Sequence, residues 1–571
     1  MNLRDPQERL FLLLAIFIGL FSGSAVVCFR VVIEWVRIAL LGSALRPDPL
    51  RTVLVPTVAG LVIGLLVAYV FPFARGSGVN QTKAALYIYD GYIAFPTVVG
   101  KFLTSSLAIG SGHSLGPEDP SLQIGAGLAS TVARGLKLSR DKVRLIAPLG
   151  AAAGLSAAFN SPIAAVLFVI EEVIGRWSAG VLGAVILSAA AGVVSAQWFL
   201  GGAPLFRVPA VAFVHPAELL GYAALGIIGG LAAVLFLKIV LAARPRLFAA
   251  PRAVRVAQPA LAGLAIGTVG LWFPQVMGAG YETVDQAVHG QFTWQLLATL
   301  AALKLVATAL SFSTGTPGGL FAPTLFMGAM LGGAVGGLQR TLLPELTGPV
   351  GVYALVGMGT LFAGILRAPM TSVFMILELT GNYTIILPVM VSNTIAYLVS
   401  RNLQPVPIFD ALSRQEGLDL PSMEEQRDLA VLRVEDAMRP WAGTILPVTA
   451  TVSQVMELSG GEALVLLGGD GLRWHAVRRE QLRRLAEEGQ QQRTAADAEN
   501  RLAHLHPDQP LESALRLLRD SPVLPVVHRA DFGQLVGVVA LEDVLRAYRA
   551  DRRSADRGPA AEVRAGALKS R

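Results

Sequence analysis

Long apolar runs separated by short polar stretches occupy the chain from about residue 10 to residue 400. They cover roughly residues 10–41, 52–73, 94–110, 121–136, 145–175, 180–200, 217–241, 257–273, 293–312, 320–338, 350–366 and 369–400. A helix of about 20 apolar residues spans the hydrocarbon core of a bilayer, so the pattern predicts a bundle of membrane helices. Several runs are shorter or contain Gly and Pro, which predicts broken helices. Such breaks are tolerated only where the freed backbone groups face protein or a watery cavity.

One motif of this apolar region occurs twice. Gly116 to Pro120 with Gly125-Ala126, and Gly319 to Pro323 with Gly328-Ala329, both fit G-x-x-x-P-x-x-x-x-G-A and lie 203 residues apart. A second pattern recurs after 207 residues, with Pro162, Val166 and Glu171 returning as Pro369, Val373 and Glu378. In membrane proteins, interrupted apolar segments at matching places in two halves indicate a midplane binding site made by broken helices. Transport is therefore the first hypothesis.

Composition separates a membrane part from a soluble part. The 571 residues are 53% hydrophobic and only 15% charged, whereas soluble proteins carry about 25% charged residues. The run from Leu10 to Leu41 is too long for a signal-peptide core and has no clear cleavage site, which predicts a retained membrane helix. Cys28 is the only cysteine, which excludes an intrachain disulfide and a cysteine metal cluster.

These observations predict an all-α polytopic membrane domain with an inverted-topology repeat and broken helices, followed by an α+β region. The predicted parts are a transmembrane domain over 1–412 with halves over about 10–205 and 215–405, a linker over 413–432, an α+β region over 433–550 and a polar, disordered tail over 551–571.

The net charge of +7 does not indicate a nucleic-acid partner, because the basic residues lie in short loops between apolar runs. The two most basic loops contain Arg134, Lys137, Arg140, Lys142 and Arg144, and Arg244, Arg246, Arg252 and Arg255. Short basic loops are expected on the cytoplasmic side. We place the short charged N-terminus and the soluble tail on that side too, which requires an even number of crossings.

The stretch from Gly110 to Pro120 carries the strongest candidate chemistry. It is rich in glycine and opens an apolar helix with Glu118 and Asp119 in its first turn. A helix N-terminus offers unpaired N–H groups and a partial positive charge, which in a membrane interior makes an anion site. Glu118 could occupy that site itself and leave when protonated or displaced. Capping of the helix is the alternative, but an acidic residue at membrane depth is expensive and is a functional candidate by default.

The matching segment in the second half, Thr316 to Pro323, predicts a second helix N-terminus. It has no acidic residue, so its N–H groups are expected to be free for an external anion. A Gly/Pro kink that serves packing alone is the alternative.

With these motifs the chain resembles the CLC family of chloride channels and proton-coupled chloride transporters. Gly76 to Asn80 resembles the family's GSGIP motif, Gly116 to Pro120 resembles GREGP, and Gly319 to Pro323 resembles GxFxP. The stretches from Ala153 to Glu172 and from Arg367 to Tyr383 are also similar to the family. Together these cover most of residues 10–412.

The resemblance implies roles for individual residues. Ser77 would donate its hydroxyl to a central anion, and Leu320 and Phe321 would donate backbone N–H groups to it. Glu118 would be the external gate that competes with the anion and carries the proton. Glu172 would be the internal proton-transfer residue, with a helix-end carboxylate beside Glu171 as the alternative. Lys101 would add positive potential behind the pore, or else extend to the interface.

Four positions depart from the family pattern. Pro117 replaces a basic residue and lacks an N–H, and Asp119 replaces a glycine and adds a carboxylate beside the gate. Asn80 replaces the proline of the first motif. Phe409 stands where the family usually has a tyrosine hydroxyl on the anion, and loss of that hydrogen bond costs about 1 kcal/mol. We therefore expect weaker anion binding than in a typical member, and looser coupling.

The region over 433–550 resembles a pair of cystathionine-β-synthase (CBS) domains, a common tail in this family, with its second copy over about 501–549. The resemblance implies that Asp543 is the acidic residue that holds a nucleotide ribose, which would make an adenine nucleotide a ligand. Ala540 lies where a Thr or Ser usually helps, and Gln481 takes the acidic position of the first copy. A purely structural or dimerising module is the alternative.

The resemblance favours chloride/proton exchange by a homodimer in a prokaryotic inner membrane, with an anion pathway in each subunit. The nearest alternative is a passive voltage- or pH-gated chloride channel, which Phe409 favours and Glu172 opposes. A fluoride exporter is disfavoured by Ser77, and a nucleotide-sensing membrane protein is a further alternative. An enzyme is the least favoured alternative. A serine nucleophile at Ser111 or Ser114 beside His113 would lack a third orienting residue, and no P-loop or metal motif appears.

Overall fold

The computed structural model describes residues 6–42, 48–138, 140–175, 179–202, 206, 216–418, 420, 432–468, 474–498, 502–519 and 521–549. The chain divides into two compact units, Met1–Met423 and Glu424–Arg571. The first unit is helical and the second contains the β-strands.

The first half of the membrane unit is a succession of long and short helices. They are α1 (Pro6–Leu41), α2 (Pro49–Tyr69), α3 (Val79–Tyr87), α4 (Phe95–Gly110), α5 (Glu118–Gly135), α6 (Arg140–Phe159), α7 (Pro162–Phe168) and α8 (Ala179–Leu200). A short 3-10 turn, Pro72–Ala74, precedes α3, and a π-helical turn, Val169–Ile174, continues α7.

The second half repeats the same succession. Its helices are α9 (Glu218–Phe248), α10 (Arg252–Gly270), α11 (Tyr281–Val288), α12 (Trp294–Ser313), α13 (Phe321–Leu342), α14 (Val350–Leu366), α15 (Pro369–Thr380) and α16 (Ile386–Leu403), and α17 (Ile408–Gln415) follows them. A 3-10 turn, Pro274–Val276, precedes α11 as its counterpart precedes α3. The two related halves predicted from the motifs are thus two copies of one helix order.

Two predicted apolar runs each contain more than one helix. The run over 145–175 is interrupted before Pro162, which begins α7 after Asn160 takes a positive φ of 57°. The run over 369–400 is interrupted at Gly381, whose φ is 63°. Proline suits the first turn of a helix, where its missing N–H leaves no hydrogen bond unmade, and a left-handed glycine ends a helix. The apolar composition of these runs concealed both breaks.

Many large apolar side chains point outward, and Trp198 and Leu220 are 83% and 75% exposed. Such a surface suits lipid rather than water. Within the described residues, eight helical stretches are long and apolar enough to cross a membrane, and stretches within α6, α14 and α15 are apolar but shorter. The membrane unit therefore has the apolar exterior of a polytopic membrane protein.

The repeated Gly-Ala of the motif lies where two helices of the same half touch. A Cβ atom at Gly125 on α5 would overlap the carbonyl oxygen of Gly150 on α6, and one at Gly328 on α13 would overlap that of Gly357 on α14. Small residues allow membrane helices to approach this closely. The same close helix pair is therefore built in each half.

The second unit contains two small α/β parts. The first has the sheet order β1 (Ile445–Leu446), β2 (Leu464–Leu467), β3 (His475–Arg478) with α18 (Val434–Ala437), α19 (Val452–Leu458) and α20 (Arg479–Glu487). The second pairs β4 (Val523–Val527) with β5 (Leu535–Ala540) and has α21 (Leu511–Leu517) and a helix over 541–549. Leu466 and Trp474 of the first part share one apolar cluster with Val523, Val527 and Val538 of the second.

The predicted domain boundaries were set from composition. Helix α17 continues to Gln415, three residues beyond the predicted end of the membrane domain at 412. The prediction ended the domain too early because the polar residues on the exposed face of this helix resembled a linker. Residues 419 and 421–431 of the predicted linker and the predicted tail over 551–571 lie outside the described residues.

Candidate anion-binding and gating site

The two motif loops meet each other directly. The Gly116 N–H donates to the Gly319 carbonyl at 2.9 Å, and the Gly319 N–H donates to the Gly116 carbonyl at 2.7 Å. The pairing is antiparallel, so the two segments run in opposite directions, as an inverted repeat requires. Because α5 begins at Glu118 and α13 at Phe321, this bridge brings the N-termini of the two helices together.

Further backbone hydrogen bonds between glycines accompany the Gly116–Gly319 pair. The N–H of Gly76 donates to Gly315 O at 3.3 Å, and the N–H of Gly318 donates to Gly76 O at 3.2 Å. In the other half, the N–H of Gly278 donates to Gly112 O at 3.0 Å. Each half thus contributes a glycine turn that pairs with the motif loop of the other half. The sequence analysis noted the motif from Gly76 to Asn80 but missed the counterpart of Gly76 at Gly278.

A buried lysine supports each glycine turn. Lys101 donates to the carbonyl of Gly76 at 2.8 Å, and Lys304 donates to that of Gly278 at 2.6 Å. Lys304 also lies 4.6 Å from the centre of the Phe326 ring. Both lysines are fully buried, so Lys101 does not extend to the interface. The sequence analysis missed Lys304, although it occupies in the second half the position that Lys101 occupies in the first.

Glu118 reaches across to the helix of the other half. It is fully buried, and its Oε2 accepts the Ala322 N–H at 3.3 Å. Its Oε1 has no hydrogen-bond partner among the described residues. A Cβ atom at Gly116 would overlap Oε2, so glycine leaves the space that this carboxylate fills.

Asp119 also reaches the start of α13, where it binds the N–H group of Leu320. Its Oδ2 accepts the Leu320 N–H at 2.9 Å, and the side chain is fully buried. The expectation that the N–H groups of this segment are free for an external anion is therefore wrong for Leu320 and Ala322. Both hold carboxylates of the first half, because the bridge between the halves places α5 directly opposite α13.

The remaining predicted anion ligands lie close to these helix ends. The Ser77 hydroxyl oxygen accepts the Val79 N–H at 3.2 Å, within the turn that opens α3. The Phe321 and Phe409 rings both pack on the Phe168 ring, with centroid distances of 4.7 and 6.4 Å. Both phenylalanines are fully buried, and their rings share a contact with Phe168.

Glu172 belongs to a buried charge cluster that the sequence did not reveal. Its Oε1 accepts from Lys83 Nζ at 3.1 Å, and Lys83 also donates to Asp410 Oδ1 at 2.9 Å. Lys83 lies on α3 and Asp410 on α17. No local spacing links three residues so far apart in sequence, and only the fold brings them together.

The repeated proline–glutamate pattern is explained by reciprocal capping. Glu378 accepts the N–H groups of Ile163 and Ala164 at 3.0 and 2.8 Å, at the start of α7. Glu171 accepts the N–H of Thr371 at 3.0 Å and its hydroxyl at 2.6 Å, at the start of α15. A carboxylate satisfies unpaired N–H groups at a helix N-terminus and opposes the positive end of the helix dipole. Each glutamate therefore caps a helix of the other half.

In the soluble unit, Asp543 is buried and already paired. Its Oδ2 accepts from Arg439 Nε and from the Ala540 N–H, both at 3.0 Å. Arg546 lies 3.7 Å from Oδ1. The carboxylate predicted to hold a nucleotide ribose is thus joined to two arginines and a backbone donor.

Two related halves, broken helices that meet at their N-termini and buried carboxylates at that meeting point define a polytopic membrane transport protein. The family described as voltage gated chloride channel matches residues 59–401, and the CBS domain family matches residues 498–550. The chain belongs to the CLC family, which is a family of transport proteins and not of enzymes. The resemblance inferred from the motifs is confirmed.

Two relatives agree with this assignment, and a solved structure shares the fold. A putative ClcB-like chloride channel protein of Ralstonia nicotianae is 35% identical over 376 residues, covering 64% of this chain and 87% of the relative. The H(+)/Cl(-) exchange transporter ClcA of Salmonella arizonae is 32% identical over 423 residues, covering 72% and 89%. The fold is similar to that of a slow cyanobacterial Cl-/H+ antiporter, with a TM-score of 0.65, 24% identity and coverage of 73% and 99%.

Proposed function

We propose that the protein exchanges chloride for protons across the membrane. The observation that carries this proposal is the contact of Glu118 with the Ala322 N–H at 3.3 Å. It places a titratable group of one half on a helix N-terminus of the other, where an anion would bind. The name of the Salmonella relative, an H(+)/Cl(-) exchange transporter, supports the same reaction.

The exchange follows from competition for one group of donors. The converging starts of α5 and α13 provide backbone N–H groups and partial positive charge, and Ser77 provides a hydroxyl. An anion that approaches Ala322 has to displace the Glu118 carboxylate. Protonation removes the negative charge of Glu118 and weakens its hold on the N–H. Anion entry and proton uptake are thereby linked through one side chain.

The inner proton step is assigned to Glu172. It lies in the π-helical turn that continues α7, next to Lys83 and, through it, Asp410. π-helical turns occur frequently at functional sites. Glu172 would pass protons between the cytoplasm and Glu118.

A passive chloride channel is the second candidate, and Phe409 favours it. Its ring offers no hydroxyl to an anion and packs instead toward Phe168. The Ralstonia relative bears the name of a putative chloride channel.

Flux from liposomes tests the proposal. Purified protein is reconstituted, a chloride gradient is imposed without a proton gradient, and internal pH is recorded. An exchanger drives protons uphill, and both Glu118→Gln and Glu172→Gln abolish the proton movement. The exposed Glu345→Gln serves as the matched control and should leave it unchanged. Chloride flux without proton movement in the unaltered protein would contradict exchange and favour the channel.

We further infer a homodimer in a bacterial inner membrane, with the N-terminus and the soluble unit in the cytoplasm. The short basic loops support this orientation, and the Ralstonia and Salmonella relatives support a bacterial source. Protease digestion of inside-out and right-side-out vesicles tests the orientation, and the mass of the detergent-purified protein tests the dimer.

An adenine nucleotide is the proposed ligand of the soluble unit, with Asp543 on its ribose. Because Asp543 is paired with Arg439 at 3.0 Å, a nucleotide would have to replace that contact. Titration of ATP into the protein, with Asp543→Asn as the comparison, tests this. No heat from either protein would leave the unit with a structural or dimerising role, and equal heat from both would show that ATP binds without Asp543.

A further inference from the structure

Asp119 holds a donor that the transport site would otherwise offer to an anion. Its Oδ2 accepts the Leu320 N–H at 2.9 Å, and Leu320 is the residue that immediately precedes α13. Both residues are fully buried, and Oδ1 has no hydrogen-bond partner within the described part of the chain. Hydrogen bonds between a carboxylate and a backbone N–H are among the strong ones.

The carboxylate is packed into the bridge between the halves. A Cβ atom at Gly319 would lie 2.8 Å from Asp119 Cγ and 3.0 Å from Asp119 Cβ. Gly319 also exchanges two backbone hydrogen bonds with Gly116. The side chain of Asp119 therefore lies against the backbone that joins the two helix N-termini, and no side chain at position 319 separates them.

Asp119 also interacts with the positive charge behind the site. Lys101 is fully buried and attracts the Asp119 carboxylate electrostatically. An anion near Leu320 would use the same backbone donor and the same lysine. Asp119 thus already occupies one backbone donor and interacts with one positive charge that a central anion would use.

We propose that Asp119 is a second tethered competitor of the transported anion, acting at Leu320 while Glu118 acts at Ala322. The inference rests on the proposed transport function and deepens it. An anion that binds at these helix N-termini must displace two carboxylates, those of Asp119 and Glu118, rather than one. Asp119 therefore lowers the chloride affinity of this protein.

The test is calorimetric titration of potassium chloride into purified protein in chloride-free buffer. Asp119→Gly removes the acceptor and the charge, and we expect it to lower the Kd for chloride about tenfold, the equivalent of one charge-assisted hydrogen bond. Asp119→Asn keeps the size and an acceptor oxygen but not the charge, so it should lower the Kd by a smaller factor. In chloride-uptake assays both variants should lower the KM more than they alter the maximal rate.

The other outcomes separate this inference from the proposed function. If neither the unaltered protein nor Glu118→Gln binds or carries chloride, the transport proposal fails. If they do, and both Asp119 variants keep or raise the Kd, Asp119 is no competitor and this inference alone is overturned. Should Asp119→Gly not purify as a monodisperse protein, the near-isosteric Asp119→Asn decides between the two results.

Discussion

Gly116 and Gly319 join the two halves of the membrane unit through a reciprocal pair of backbone hydrogen bonds of 2.9 and 2.7 Å. Each glycine begins one copy of the repeated motif. The bridge directs the first residues of α5 toward the start of α13, and Glu118 and Asp119 consequently reach backbone donors more than 200 residues away. The contact between the halves and the candidate gate are therefore one structural feature.

Gly125→Ala should destabilise the protein, because the added Cβ would overlap the carbonyl oxygen of Gly150 on α6. Backbone cannot move aside as a flexible side chain can, and overpacking of this kind costs about 1–3 kcal/mol. Gly135→Ala is the matched control on the same helix, since a Cβ there meets no atom within 4 Å. Thermal unfolding in detergent measures both. Equal melting temperatures for the two variants would contradict the close helix contact.

Lys83→Met should destabilise the protein strongly. It leaves the carboxylates of Glu172 and Asp410 buried without their shared partner, and removal of one member of a buried ion cluster costs about 3–5 kcal/mol. The exposed Lys137→Met is the control and should change little. Adding Asp410→Asn to Lys83→Met should recover part of the lost stability in thermal unfolding, because it removes one of the two buried negative charges that Lys83 contacts. A double variant less stable than Lys83→Met would refute the cluster.

Phe409→Tyr should strengthen chloride binding if this side chain faces the anion. The added hydroxyl supplies one hydrogen bond of about 1 kcal/mol, which corresponds to a Kd lowered about fivefold. Phe29→Tyr adds the same hydroxyl to another buried ring, which packs against Phe102 at a centroid distance of 5.3 Å, and should not alter chloride affinity. Chloride titrations that give the same Kd for both variants would remove Phe409 from the anion pathway.

Glu378→Ala should destabilise α7, although the mutated residue lies on α15. The N–H groups of Ile163 and Ala164 lose their acceptor, and loss of such a cap costs about 0.5–2 kcal/mol. Glu345→Ala, at an exposed position, is the control. A lowered melting temperature for Glu378→Ala alone, with partial recovery in Glu378→Gln, which retains an acceptor oxygen, is the expected result. No difference between Glu378→Ala and Glu345→Ala would contradict reciprocal capping.

Short-range sequence patterns predicted much of the fold. Apolar runs predicted the membrane helices, and the doubled motif predicted two related halves and located Glu118 at the start of α5. These predictions were possible because helices and their glycine-proline breaks depend on residues that lie close together in the sequence. Lys101 and Asp543 were singled out by the family resemblance, which gave no sign that Asp543 is held by Arg439, more than 100 residues away.

The charges and donors of the site were decided by long-range contacts. Composition gave no sign that Lys83 joins Glu172 to Asp410, or that Asp119 takes the Leu320 N–H. Such pairs form where helices distant in the sequence pack together, and burial then requires each charge and each N–H to find a partner. The sequence by itself determined the apolar segments and the breaks at the doubled motif, whereas only the tertiary structure decided which groups meet at those breaks, because the partners lie far apart in the sequence.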